Sequence, residues 1–140
     1  MSTIVPRLFR VRVPGPEDGP DFREVRTLPA EAADTPATAA LRTGVMYGLL
    51  CLPESDVERL AHVAGELAEH VAGCVLSETV LLVTDYHRGV ATISVIAPAG
   101  RIWRALDPGS LAHVTSTDQI GVIPHDMGPS AYVQMKAARP

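Results

Sequence analysis

Apolar positions follow two different periods along the chain. Val57, Leu60, Ala61, Ala64, Leu67, Ala68, Val71 and Val75 recur at helical spacing, the mark of one buried helix face. Glu58, Arg59, His62, Glu66, Glu69 and His70 fall on the other face. This predicts an amphipathic helix that starts at Glu54 or Ser55 and stops near Gly73, a residue type that favours helix ends. An Ala- and Leu-rich stretch from Ala37 to Cys51 predicts another helix before it. Asp34 offers its N-cap, Pro36 suits its first turn, and Pro53 ends it. Gly44 and Gly48 each weaken that helix by about 1 kcal/mol. They also let a second backbone come close.

The second half of the chain reads as strands. Glu78 to Asp85 and Val90 to Ile96 are near-continuous apolar runs around a turn at Tyr86 to Gly89. They predict an antiparallel hairpin in a sheet with at least one well-covered face. Glu24 to Leu28, Ile120 to Ile123 and the alternating Ser130 to Lys136 predict three more strands. Ile102 to Leu106 is ambiguous, with Trp103 partly buried, and Gly109 to Thr117 reads as a short helix or a loop. Residues 1–22 read as an N-terminal arm. Ile4 to Val13 alternates as a strand would, and the Pro- and Gly-rich stretch Pro14 to Pro20 interrupts it. Residues 23–140 form one domain of α/β (α+β) class. The expected form is a two-layer sandwich, with helices on one face of a mixed, mostly antiparallel sheet.

Composition narrows the function. The 140 residues are 46% apolar and 20% charged, as expected of a globular chain. A net charge of −4 with no basic run argues against direct nucleic-acid binding. No apolar run reaches the length of a membrane span, and Met1 to Arg10 lacks the apolar core of a signal peptide. The expected location is the cytoplasm. Cys51 and Cys74 sit inside apolar runs with no CxxC spacing, so both are expected to be reduced, buried small hydrophobes.

Several segments in this order resemble the GHKL (Bergerat-type) ATPase domain of bacterial anti-sigma factors and their serine-kinase relatives. The likeness spans roughly residues 24–138. It begins at the acidic entry Leu52-Pro53-Glu54-Ser55-Asp56 and the helix segment Glu66-Leu67-Ala68-Glu69-His70-Val71. It continues through the hairpin Thr79 to Val83 and Ala91 to Val95, turning at Arg88-Gly89. It ends with Ile120-Gly121-Val122, the turn Pro124 to Gly128 and the strand Ala131 to Met135. The resemblance implies the GHKL fold and assigns roles to particular positions. Glu66 stands where the family's kinases carry a general base. His70 stands where the family has the Asn that ligates Mg²⁺, a hard cation better served by a carboxamide oxygen. Ala97 replaces the Asp that binds the adenine amino group. Ala99 replaces the Gly that lets the backbone approach the base. Only about ten residues separate Ala99 from Gly109, which leaves little room for a lid. Gly109-Ser110-Leu111 is a stub of the phosphate-cradling turn.

Magnitudes then argue against ATP. A lost charge-assisted hydrogen bond costs about 1.5–3 kcal/mol, and a micromolar site rests on about 8 kcal/mol. Losing the adenine ligand, the metal ligand and the phosphate loop leaves binding at millimolar or weaker. The expectation is no catalytic residue, no cofactor, no metal, and a cleft with degenerate positions His70, Ala97, Ala99 and Gly109.

Other constellations are weaker. His62, Glu66 and His70 share a helix stripe, but no third His or Cys is tied to them as a metal site requires. Asp85-Tyr86-His87-Arg88 and His125-Asp126 read as polar turns. Ser110 and His113 lack an orienting third group. The resulting reading is a pseudo-kinase that regulates by protein contact. Its partner would be a sigma factor, an anti-sigma antagonist or another transcription regulator. The resemblance places subunit pairing and sigma-factor grip near Thr35 to Leu50, with a homodimer possible. The alternatives are an active ATP-dependent serine kinase, or a small-molecule-binding protein that reuses the cleft around Glu66, His70 and Trp103.

Overall fold

The computed structural model describes residues 22–98, 102, 105–106, 119–123 and 128–138. The elements are β1 (Phe22–Pro29), α1 (Thr35–Leu49), α2 (Glu54–Ala72), β2 (Thr79–His87), β3 (Val90–Ile96), β4 (Gln119–Ile123) and β5 (Ser130–Lys136). The five strands form one sheet in the order β1-β2-β3-β5-β4. All four strand pairings are antiparallel, where the sequence predicts a mixed, mostly antiparallel sheet. Chain geometry gives the reason. Between β1 and β2 the chain makes two helical passes, so β2 returns against β1. A single helical crossover would have left them parallel.

Local chemistry sets the element ends. Asp34 precedes α1 but makes no side-chain cap. Instead Thr35 Oγ1 donates to the carbonyl of Pro29, tying the end of β1 to the start of α1. Pro53 precedes α2, and Glu54 and Asp56 lie in its first turn, where carboxylates favour the positive end of the helix dipole. The β2–β3 hairpin turns on two residues, Arg88 and Gly89, with φ of 51° and 77°. Positive φ at both suits a type I′ turn, whose twist matches the strands. The predicted turn at Tyr86 to Gly89 is therefore shorter in the structure. Asp85 and Tyr86 stay in the strand. The Tyr86 ring enters the core and its hydroxyl donates to the carbonyl of Ala137 at 2.8 Å. Asp85 pairs with Arg23 across β1 at 3.0 Å.

The main core lies between helices and sheet. Tyr47, Leu60, Leu67 and Val71 pack over Val80, Leu82, Ile93, Val95, Val133 and Met135. A second cluster of Leu81, Val83 and Ile96 lies on the opposite sheet face, because alternate strand residues point to opposite sides. Both clusters are buried, which explains the continuous apolar runs of β2 and β3. Among the described residues, no helix is long and apolar enough to cross a membrane.

Candidate functional site

α1 and α2 pack side by side and antiparallel, and glycine sets their spacing. A Cβ at Gly65 would sit 3.0 Å from the carbonyl oxygen of Pro36 and 3.6 Å from Cβ of Ala40. Gly44 meets Ala61 at an ordinary 3.7 Å, and nothing lies within 4 Å of Gly48. The close approach predicted for Gly44 and Gly48 is thus made by Gly65 on the other helix. Periodicity hides this, because Gly65 falls on the apolar flank as a small residue like its neighbours.

Tyr47 anchors α1 to the sheet. Its hydroxyl donates to the carbonyl of Asp85 at 2.7 Å, with the Thr92 carbonyl at 3.2 Å, and accepts the Asp85 N–H at 3.3 Å. Burial pushes this phenol far above its ordinary range, and the nearby Asp85 charge adds to the push. The hydroxyl is therefore a fixed, neutral strut.

With Ala39, Thr43, Met46 and Tyr47 turned inward, the outer side of α1 carries Leu41, Val45 and Leu49. They are 66%, 49% and 78% exposed. Their i, i+4, i+8 spacing makes one continuous stripe, and the open backbone of Gly48 lies beside it. Single exposed apolar residues are ordinary, but a row of three on one helix is a patch. The sequence spreads apolar residues around most of α1, with Arg42 its one charge, so its period alone could not separate the stripe from the core face.

The nucleotide-type positions lie elsewhere. Glu66 and His70 are half-buried on α2. Helical spacing puts them on the same flank as Arg59, whose Nη2 lies 3.9 Å from Sδ of Met135 on β5. Ala97 follows β3, fully buried, and its N–H donates to the carbonyl of Pro129 at 2.8 Å. α2 packs on β3, so one helix and the strand beneath it hold all three. Ala99 and Gly109 lie outside the described residues, as do Trp103, Ser110, His113, His125, Asp126 and the arm 1–21. Among the described residues, no three His, Cys, Asp or Glu side chains come together as metal ligands.

The cysteines divide. Cys74 is buried, its Sγ 3.9 Å from the carbonyl of Ala105. Cys51 is exposed and not buried as predicted. It lies past the end of α1 with φ of 62°, where the chain turns outward before Leu52 re-enters the core.

In sequence, the chain matches no family model and no curated protein. In fold it is similar to the crystal structure of the RsbU and RsbW domains of Rv1364c from Mycobacterium tuberculosis. The TM-score is 0.65 at 16% identity. The likeness covers 84% of this chain and 33% of that one, so the chain spans about a third of the length of the protein it resembles. At this identity the similarity establishes architecture alone.

Proposed function

We propose that this RsbW-like chain is a regulatory protein-binding domain of anti-sigma type, acting by contact and not by nucleotide chemistry. The observation that carries this reading is the exposed Leu41–Val45–Leu49 stripe on α1. It lies within Thr35 to Leu50, the region to which the GHKL resemblance assigns partner contact. The partner class is a sigma factor, an antagonist of the anti-sigma type, or another transcription regulator.

The donor set at the old nucleotide positions supports the second half of the reading. Imidazole at His70 is a poor ligand for Mg²⁺. The methyl of Ala97 accepts no hydrogen bond, and its backbone N–H is already given to Pro129. These residues do not fit Mg²⁺-ATP, and without the nucleotide Glu66 would have no phosphate to work on.

Two measurements test the reading. Calorimetric titration with Mg²⁺-ATP and Mg²⁺-ADP is expected to give no heat at millimolar nucleotide. Micromolar binding would restore the active-kinase alternative, with Glu66 as its base. Pull-downs from the source cell are expected to capture a regulator of the stated class. A variant carrying Leu41→Gln, Val45→Gln and Leu49→Gln should lose that partner while staying folded. Equal capture by the variant would remove the stripe from the interface.

A further inference from the structure

We propose that the partner segment seated on the α1 stripe is a cationic amphipathic one, with Lys or Arg flanking an apolar face. This rests on the reading of the stripe as a protein-binding surface and adds the chemistry of what binds there.

The argument is one of charge. α1 carries a single charged residue, Arg42, and no acid. The acids come from its neighbour. Contacts of Gly65 with Pro36 and Ala40, and of Gly44 with Ala61, fix the two helices antiparallel. The start of α2 therefore lies beside the end of α1. That brings Glu54 and Glu58, both exposed, to the Val45–Leu49 end of the stripe. At the other end, α2 brings exposed Glu69 towards the start of α1, where exposed Glu31 and Asp34 also stand. Glu54, Glu58 and Glu69 form no ion pair among the described residues, whereas Asp56 is held by Arg59 and Asp85 by Arg23. Arg42 beside the row is outnumbered by these five exposed carboxylates, Glu31, Asp34, Glu54, Glu58 and Glu69, and the balance favours positive charge on the partner. The carboxylates also disfavour an acidic partner by repulsion, which fixes specificity and orientation more than raw affinity. A helix that docks here would present its own i, i+4 apolar row between basic flanks. A second copy of the chain fits poorly. It would bring the same acids to the same rim.

The test uses the full chain and three synthetic helical peptides. They share one Leu row at i, i+4 spacing and carry Lys, Gln or Glu at the flanks. Binding is read by fluorescence anisotropy at low and high salt. The Lys peptide is expected to bind about fivefold or more tighter than the Gln peptide, and the Glu peptide weakest, with the differences shrinking at high salt. The double variant Glu54→Gln and Glu58→Gln should lose most of the Lys preference and keep binding to the Gln peptide. Equal binding of Lys and Gln peptides at the stripe would overturn the charge assignment and leave the stripe as a protein-binding surface. If no peptide binds, or if the Leu41→Gln, Val45→Gln, Leu49→Gln variant binds all three as well as the native chain, both are overturned. Sedimentation completes the test. A stable dimer dissolved by that triple variant would mean that a second copy occupies the stripe, and would also overturn the proposal.

Discussion

The hydroxyl of Tyr47 meets both backbone groups of Asp85, donating to its carbonyl at 2.7 Å and accepting its N–H at 3.3 Å. One side chain thus pins the first helix to β2. Tyr47→Phe keeps the ring in the core and removes only the oxygen. The expected loss is about 1–2 kcal/mol, the cost of stranding buried backbone groups. Urea denaturation of the two proteins measures it. No change in midpoint would show that the strut carries no stability.

The same residue sets a limit at high pH. Its pKa is raised in the folded chain by burial, so above about pH 10 the unfolded state releases a proton that the folded state keeps. The contribution is fully present below about pH 10. Stability then falls by about 1.4 kcal/mol for each further pH unit on account of this one group. Tyr47→Phe should flatten that slope. Parallel slopes for the two proteins would contradict the assignment.

The glycines separate by their surroundings. Gly65→Ala adds a methyl 3.0 Å from a backbone oxygen of Pro36, which cannot swing away as a side chain would. The helices must part, and a loss of about 1–3 kcal/mol is expected even though Ala is the better helix former. Gly44→Ala and Gly48→Ala meet no such contact. Each should gain up to about 1 kcal/mol. Thermal melts of the three variants read the signs directly.

What the sequence could carry was the order of elements and the core of α2. Leu60, Ala64, Leu67, Ala68 and Val71 are buried as their spacing predicts, and the strand Ser130 to Lys136 has the predicted bounds. Val63 was not on the predicted face and is buried, because the sheet wraps the helix more widely than one stripe. The candidate surface was less legible. Leu41 and Tyr47 are both large apolar residues on one apolar helix, and only the position of the sheet decides that Tyr47 goes in and Leu41 stays out. The extent of β2 is masked in the sequence for a related reason. Tyr86 looks polar beside Asp85 and His87, yet its ring is core and only its hydroxyl needed a partner. The nucleotide-type positions rest on resemblance alone, and no period or spacing marks them.

Cys51 offers a probe of the turn after α1. It holds a left-handed conformation that costs a residue other than Gly about 1 kcal/mol or more. Cys51→Gly should therefore stabilise the chain by roughly that amount in urea. In the native chain a thiol reagent should label Cys51 promptly and Cys74 only on unfolding, given their opposite exposure. Equal labelling rates would mean that Cys74 is reached by local opening.

The outward side of α1 has a consequence for how such a protein can change. Leu41, Val45 and Leu49 support none of the buried core, while Tyr47, Thr43 and Ala39 on the same helix do. On the proposed function, stability and partner choice are therefore written on separate residues of one element. Substitutions along the outer row would then retune which protein is gripped without first finding a compensating change inside. A lineage carrying such a domain would be free to exchange partners while its fold stays still.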